Sequence, residues 1–222
     1  MATNTAISAV VFDFGMVLTG KPNMEAHDAM VRITGLPNER FEELYWKDRH
    51  AYDEGKLNGI TFWQKFASDG GLHHLDQKTI EELNSLDARY WTTQNPAMVA
   101  WQQKLKAAGI KTAILSNMGD TVLESIEREF QWVHGFDVLI WSFQLKMAKP
   151  DPAIYHAVLD RLGVPAEETL FIDDKQENIE AARKLGMTGV LFTSIERLRE
   201  DLVKERIEVP LPEPRAVEVR GA

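Results

Sequence analysis

Cysteine is absent from the chain of 222 residues, and this excludes disulfides, thiolate metal sites, iron–sulfur clusters and cysteine nucleophiles. Long apolar runs are absent too, because the longest, around residues 9–12 and 138–141, are far too short to span a bilayer. Residues 1–8 lack the basic start and apolar stretch of a secretion signal. The sequence therefore predicts a cytoplasmic protein with no membrane partner.

Positive charge is scarce. The chain has 25 Lys and Arg against 34 Asp and Glu, a formal net charge of −9. No run of Lys or Arg forms a basic patch, which argues against a nucleic-acid partner. The hydrophobic fraction of 44% is close to the globular average and excludes disorder across the whole chain. The length suits one sizeable domain, or one domain that carries a smaller insertion.

The second half of the chain repeats one pattern, in which a helix-period stretch ends at a glycine and a short apolar run follows. The glycines are Gly109, Gly163 and Gly186. Strands are predicted over 7–12, 112–115, 136–140, 169–172 and 189–192, and further helices over 121–130 and 195–203. This alternation predicts an α/β fold, a Rossmann-like parallel sheet with helices on both faces. Ligands of such sheets bind at the carboxyl ends of the strands.

Residues 21–91 break the pattern, with helix-period patches over 24–33, 39–52, 61–68 and 78–91 and no convincing strand. They predict a helical insertion after the first strand, so that 1–20 and 92–206 form a discontinuous core. The crowded aromatics of the insertion favour a small hydrophobic core, with one or two lining a pocket as the sharper alternative. Residues 207–222 contain Pro210, Pro212 and Pro214 and predict an extended or disordered tail.

Acidic side chains follow two of the predicted strands. Asp13 comes directly after the first, and Asp173 and Asp174 end a later one. Parallel order places them at one edge of the sheet, where two carboxylates about 4 Å apart repel by roughly 1–4 kcal/mol. A cation would relieve this repulsion, and oxygen-only ligands favour Mg²⁺.

Three further polar side chains belong to the same predicted edge. Ser116 and Asn117 end the second strand, and Lys149 precedes a helix that proline begins. A metal, a lysine, a hydroxyl and a carboxylate together suit phosphoryl transfer, in which the carboxylate attacks phosphorus and the cations stabilise the surrounding oxygens. The six histidines show no metal-ligand spacing and are predicted to be structural or to lie on the surface. The alternative is that one residue of a group in the insertion contacts a substrate: Lys47, Arg49, His50 or Lys56.

These motifs resemble those of the haloacid dehalogenase-like (HAD) hydrolase superfamily, over almost the entire chain. They occur in order as Asp13 in FDFGMVL, Ser116 in ILSN, Lys149 in KPDP, and Asp173 with Asp174 in FIDDKQEN. The insertion resembles the C1-type cap of that family. Residues 114–187 are similar to the phosphatase domain of bifunctional epoxide hydrolases and to bacterial sugar-phosphate phosphatases.

The resemblance implies a role for each matching residue. Asp13 would be the nucleophile that forms an aspartyl-phosphate. Ser116 and Asn117, the latter through its backbone, would bind the phosphoryl group, and Lys149 would offset its charge. The ligands of Mg²⁺ would be Asp13, the backbone carbonyl of Gly15 and Asp174. Asp173 would act as a second ligand or in the outer sphere, and Asn178 would orient the metal loop.

One position departs from the family pattern. Phosphatases of this kind usually carry a second aspartate two residues after the nucleophile, where it protonates the leaving group, and here that residue is Gly15. Such acid–base assistance contributes about 10²–10⁴-fold to the rate. Family members with glycine at this position are nonetheless regarded as phosphatases.

The favoured function is a Mg²⁺-dependent phosphatase acting on a small phosphorylated metabolite, with a sugar phosphate as one candidate. A 2-haloacid dehalogenase is the first alternative, because halide leaves without a proton, but the family's dehalogenases lack the paired carboxylates of Asp173 and Asp174. A catalytically weak binding or regulatory protein is the second, suggested by Gly15. A phosphoryl mutase is a lesser alternative, since it needs the missing acid even more.

Overall fold

The computed structural model of the protein describes residues 5–214. Seven strands occur in this part of the chain: β1 Thr5–Ala6, β2 Ala9–Phe12, β3 Lys111–Ser116, β4 Val138–Trp141, β5 Thr169–Asp173, β6 Thr188–Leu191 and β7 Ile207–Glu208. Five of them form one all-parallel sheet in the order β4-β3-β2-β5-β6. Phe12 of the central strand pairs with Ile114 and Ile172, so the three strands that precede the polar motifs end close together.

Eleven α-helices occur in the same residues: α1 Met24–Thr34, α2 Asn38–Lys47, α3 Arg49–Asp53, α4 Gly59–Gly70, α5 Gln77–Trp91, α6 Pro96–Ala107, α7 Asp120–Glu129, α8 Ser142–Leu145, α9 Pro152–Leu162, α10 Gln176–Lys184 and α11 Ile195–Lys204. Alternate residues of β2 point to opposite faces of the sheet. Val10 and Phe12 pack with α6, α7 and α11, whereas Ala9 and Val11 pack with α9 and α10. The structure therefore confirms the α/β fold with helices on both faces.

The predicted strands agree with the structure to within two residues at each end. Those over 112–115, 136–140, 169–172 and 189–192 correspond to β3, β4, β5 and β6. The glycines that were predicted to end helices, Gly109, Gly163 and Gly186, all have positive φ, the backbone region in which a side chain is strained.

The insertion contains only helices, α1 to α5, and has a hydrophobic cluster of its own that includes Phe41, Tyr45, Trp63 and Phe66. Three of its four predicted helices match observed ones. The single helix predicted over 39–52 is wrong, because two helices, α2 and α3, occur there and meet at Asp48. The Asp48 carboxylate lies 3.2 Å from Lys65 Nζ of α4, and aspartate favours non-helical backbone.

The end of the described chain contacts the core. β7 pairs in parallel with β1, apart from the main sheet. The indole of Trp101 donates a hydrogen bond of 2.5 Å to the carbonyl of Pro210, and Leu211 packs against the same core cluster. Residues 215–222 of the predicted tail lie outside the described residues. None of the helices between residues 5 and 214 has the length and apolarity needed to cross a membrane.

Candidate active site

Asp13 lies immediately beyond the central strand, and its backbone N–H continues the sheet by donating to the carbonyl of Ile172 at 2.8 Å. One carboxylate oxygen, Oδ1, accepts hydrogen bonds from the backbone N–H of Phe14 at 2.7 Å and from Lys149 Nζ at 2.8 Å. Within the described residues no hydrogen bond reaches Oδ2. Asp13 is buried, and one oxygen is fixed while the other remains open to the cavity that the residue lines.

The turn after Asp13, Phe14–Leu18, places Gly15, which has no side chain, at the cavity. Gly15 has φ −62° and ψ 135°, an ordinary conformation for any residue, and a Cβ built on it would meet no atom within 4 Å. Met16 has φ 60°, and its N–H donates to Thr19 Oγ1 at 3.0 Å. Neither strain nor crowding therefore requires glycine at position 15.

Lys149 is held at both its backbone and its ammonium group. The side chain of Asn117 donates to the carbonyl of Lys149 and accepts from its N–H, each at 2.8 Å. The buried ammonium lies 2.8 Å from Asp13 and 2.7 Å from Asp173. Because the Asn117 side chain is committed to Lys149, any contact of Asn117 with a substrate has to come from its backbone.

Asp173 and Asp174 differ although they are adjacent. Asp173 is fully buried and accepts from Lys149, from the backbone N–H of Lys175 at 2.8 Å and from Asn178 Nδ2 at 3.0 Å. Asp174 is half-buried and lines the cavity. Asp173 is therefore engaged in fixing Lys149, whereas Asp174 is open to a ligand.

Three carboxylates meet at this edge of the sheet. Asp13, Asp173 and Asp174 each offer an oxygen within 4.8 Å of the others, and between residues 5 and 214 they form the only such cluster of His, Asp or Glu. Lys149 supplies one positive charge against three negative ones. Burial raises the pKa of Asp13 to about 7, although Lys149 lowers it. Burial and the charge of Asp173 also raise the pKa of Asp174.

This excess of negative charge fits a divalent cation. The buried Oδ1 of Asn178 has no hydrogen-bond partner among the described residues, and Asn178 lines the cavity beside Asp174. An unpaired buried oxygen and a set of carboxylates are the donors that Mg²⁺ prefers. The residues present therefore fit the metal that the sequence predicts.

Ser116 ends β3 and lines the same cavity. Its side chain is buried, yet its hydroxyl makes no hydrogen bond with another described residue. The structure thus brings together all the residues predicted for the site: Asp13, Gly15, Ser116, Asn117, Lys149, Asp173, Asp174 and Asn178.

The helical insertion supplies the opposite wall of the cavity, which has a volume of about 280 Å³. Its contribution includes Trp46, Arg49, Asp53 and Trp91. The sequence allowed a pocket role for aromatics of the insertion and for Arg49 without choosing among them, and it did not identify Asp53. The available signals were the spacing of Arg49 and Asp53 by four residues and the density of aromatics, but neither indicates which face of a helix meets the core.

Arg49 is surrounded by acidic and aromatic groups. Its Nε lies 3.0 Å from Asp53 Oδ1, and its Nη1 lies 3.0 Å from Asp87 Oδ1. Nη1 also donates to the hydroxyl of Tyr45, and the guanidinium lies 5.6 Å from the centre of the Trp91 ring. Its positive charge is therefore shared between two carboxylates.

Close contacts seat the insertion on the core. A Cβ on Gly119 of the core would come within 2.0 Å of the Tyr52 ring. The hydroxyl of Ser142 donates to the carbonyl of Asp53 at 2.5 Å and accepts from the N–H of Met118 at 2.9 Å. These contacts fix α3 directly above the ends of the strands.

The haloacid dehalogenase-like hydrolase family matches residues 7–186 of the chain. A phosphatase from Mycobacterium tuberculosis is 30% identical over 211 residues, which cover 90% of this chain and 94% of that protein. The (S)-2-haloacid dehalogenase 4A of Burkholderia cepacia is 36% identical over 198 residues, which cover 83% and 82% respectively.

The solved structure of a HAD family enzyme from Bacteroides thetaiotaomicron, in complex with magnesium and inorganic phosphate, has the same fold. Its TM-score is 0.70 over 85% of this chain and 95% of that one, at 21% identity. Both a phosphatase and a dehalogenase are thus similar to this chain over most of its length.

Proposed function

The chain belongs to the haloacid dehalogenase-like hydrolase family, and from this premise we propose that it is a Mg²⁺-dependent phosphatase of a small phosphomonoester. One observation carries the proposal: three carboxylates lie within 4.8 Å of one another, and one buried lysine partly offsets their charge. A site with this charge attracts a divalent cation, and a bound cation makes it suitable for an anionic phosphate.

Asp13 is the proposed nucleophile. Lys149 and the N–H of Phe14 hold Oδ1, so the free Oδ2 attacks phosphorus and forms an aspartyl-phosphate. The unoccupied hydroxyl of Ser116 donates a hydrogen bond to a phosphoryl oxygen. When bound by Asp13, Asp174 and the carbonyl of Gly15, Mg²⁺ supplies positive charge that stabilises the phosphoryl oxygens. Water then cleaves the acyl-phosphate, which releases phosphate and regenerates the carboxylate.

The cavity wall that the insertion supplies suggests the size and chemistry of the alcohol part of the ester. A cavity of about 280 Å³ accepts a small ester, and Trp46 and Trp91 present ring surfaces to it. The C–H faces of a sugar pack well on such rings, whereas its hydroxyls can bond to polar groups such as Asp53. A sugar phosphate is the substrate class that we propose on this basis.

A 2-haloacid dehalogenase is the second candidate. It is favoured by the 36% identity to a dehalogenase and by Gly15, because a halide needs no proton to leave. A haloacid, however, is itself an anion. The two buried cations of the cavity, Lys149 and Arg49, each already contact two carboxylates. Without a metal, the site would repel the carboxylate of a haloacid.

A panel of phosphate esters, assayed with Mg²⁺ and with a chelator alongside 2-chloropropionate, separates the two candidates. We expect phosphate release only with Mg²⁺ and no chloride release in either condition. Chloride release that is insensitive to the chelator, without hydrolysis of any ester, would establish the dehalogenase instead.

The nucleophile can be tested separately. Beryllium fluoride mimics an acyl phosphate, so a crystal grown with it and Mg²⁺ is expected to show density joined to Asp13. Asp13→Asn preserves the shape and removes the attacking charge, so it should abolish turnover. Asp160→Asn, at an exposed position of α9, is the matched control and should retain full activity. Density on another carboxylate would contradict the mechanism.

A further inference from the structure

The proposed mechanism lacks a group that protonates the leaving oxygen. Gly15 has no side chain, and Asp13 and Asp174 are engaged by the phosphoryl group and the metal. Arginine does not release its proton at neutral pH. Among the acidic side chains that line the cavity, only Asp53 remains without a role.

Asp53 is the last residue of α3 and faces the core across the cavity. Its carbonyl accepts a hydrogen bond of 2.5 Å from Ser142, which follows the core strand β4. Its Oδ1 accepts from Arg49 Nε at 3.0 Å. Its side chain is 16% exposed, so it is held in place and still reaches the space where a substrate would lie.

The charges around Arg49 favour a proton on Asp53. One guanidinium faces two carboxylates, and a single positive charge can balance only one of them. Asp87 is completely buried, and it also accepts a hydrogen bond of 2.5 Å from the Tyr45 hydroxyl. Asp53 lies on the cavity side, where burial raises its pKa although Arg49 and Lys175 lower it.

We propose that Asp53 is a catalytic residue, the acid that protonates the leaving oxygen from the cap side of the cavity, and this proposal rests on the phosphatase function above. As Asp13 Oδ2 forms its bond to phosphorus, the bond from phosphorus to the ester oxygen breaks, and the Asp53 proton moves to that oxygen. Water then attacks the aspartyl-phosphate and releases its proton to the solvent, and the Asp53 carboxylate regains a proton from the solvent. Phosphate leaves, and both aspartates return to their initial states.

The leaving group supplies the test. p-Nitrophenolate leaves without protonation, whereas a simple alkyl alcohol requires a proton. Asp53→Asn keeps an oxygen that can accept from Arg49 Nε and removes the acid. We expect kcat for an alkyl phosphate to fall by about 10²-fold or more, while kcat for p-nitrophenyl phosphate changes little. Asp53→Glu retains a carboxylic acid and should lose less alkyl-phosphate activity than Asp53→Asn.

A second substitution makes the test sharper. A side chain at position 15 would meet no atom within 4 Å, so Gly15→Asp can supply an acid from the core side. In the Asp53→Asn background it should restore alkyl-phosphate hydrolysis, and Gly15→Asn, of nearly the same size, should not. Asp87→Asn removes the carboxylate that competes for Arg49, so Arg49 should then favour a deprotonated Asp53, and alkyl-phosphate hydrolysis should fall more than hydrolysis of p-nitrophenyl phosphate.

Equal losses on both esters in Asp53→Asn, or an unchanged rate on the alkyl ester, would overturn the assignment of Asp53. Failure of the phosphatase function has a different signature, since the wild type would then show no Mg²⁺-dependent hydrolysis of p-nitrophenyl phosphate. Activity on that ester also reports whether each variant is folded.

Discussion

At the scale of single residues, the proposed function makes a proton and Mg²⁺ compete for the carboxyl group of Asp13. Its pKa rises from 3.8 to about 7 in the folded protein because it is buried. Without metal, folding therefore favours its protonated form. Its contribution to the free energy of unfolding is fully present below pH 3.8, falls as the pH rises towards 7, and is constant above that pH.

Mg²⁺ should reverse this dependence, because it binds only the deprotonated carboxylate. We expect the increase in Tm caused by Mg²⁺ to be small at pH 5.5, to grow towards pH 7 and to level off above it. Thermal unfolding with Mg²⁺ and with a chelator, across this pH range, measures the effect.

Two variants serve as controls for this measurement. Asp174→Ala should abolish the increase at every pH, and Asp160→Ala should preserve it. An increase of the same size at pH 5.5 and pH 8 would refute the involvement of Asp13.

Substitution of Asn117 tests whether its side chain positions Lys149 or contacts the substrate. Asn117→Ala removes both hydrogen bonds of 2.8 Å that clamp the Lys149 backbone, at a cost of about 1–3 kcal/mol in stability. A displaced Lys149 should stabilise the transition state less, and a loss of about 1.4 kcal/mol lowers the rate about tenfold. We therefore expect kcat to fall by about tenfold or more, with KM nearly unchanged. A rise in KM at constant kcat would show instead that the side chain binds substrate.

The three carboxylates and Ser116 could be predicted from sequence because they lie at the ends of strands, and parallel strands end at one edge. Lys149 lies in the loop before α9 and was recognised by its motif. The partners that fix these residues could not be predicted. The hydrogen bonds between the Asn117 side chain and Lys149, and between Asn178 and Asp173, depend on loop conformations. No local sequence pattern encodes these conformations. Asp53 was missed and Arg49 was not singled out, because their positions at the cavity depend on how the insertion meets the core.

At the scale of elements, the helical insertion is joined to the core by two segments that pair with each other. Thr19 and Gln94 form an antiparallel bridge. The N–H of Gly20 donates to the carbonyl of Thr93 at 2.6 Å, and that of Asn95 to Leu18 at 2.9 Å. We propose that 21–91 moves as a unit about this paired hinge, because lids commonly close over such sites to exclude water.

Gly119 is the point at which cap seating can be tested. Gly119→Ala places a methyl within 2.0 Å of the Tyr52 ring, so α3 has to move away from the core. We expect a large loss of kcat/KM for a sugar phosphate and a smaller loss for p-nitrophenyl phosphate, which depends less on the cap. Gly135→Ala is the control, because a Cβ there would have its nearest neighbour at 3.9 Å. Equal losses on both esters would argue against a specificity role for the cap.

Element prediction succeeded where a physical signal marked the end of the element. Gly109, Gly163 and Gly186 end their helices, and a short apolar run follows each, so the core elements were placed closely. The break between α2 and α3 at Asp48 has no such mark, since the apolar periodicity continues across it. This break gives α3 its own direction over the site.

At the scale of the whole molecule, the two ends of the described chain are in contact and stabilise each other. Ile207 is buried, Val209 and Leu211 pack against the core, and β7 pairs with β1. Deleting residues 207–222 should therefore cost about 2–4 kcal/mol, which lowers Tm by about 4–16 °C for a protein of this size.

The activity of this truncated protein at 25 °C should remain, since none of residues 207–214 lines the cavity. Deleting only 215–222, which leaves every described contact in place, is the control, and thermal unfolding compares the two truncations. An unchanged Tm after deletion of residues 207–222 would show that the contacts of residues 207–214 contribute nothing to stability.

The paired hinge also has a consequence for how such a protein can evolve. The chain leaves the core at Thr19 and returns at Gln94 beside it. The insertion is therefore attached to the core at one place, whatever its length. During evolution the insertion can be lengthened, shortened or exchanged as a whole, while the strands of the five-stranded sheet keep their connections. The site at the strand ends and the wall that the insertion supplies are then inherited as separable parts, and new substrates can arise by replacing one without rebuilding the other.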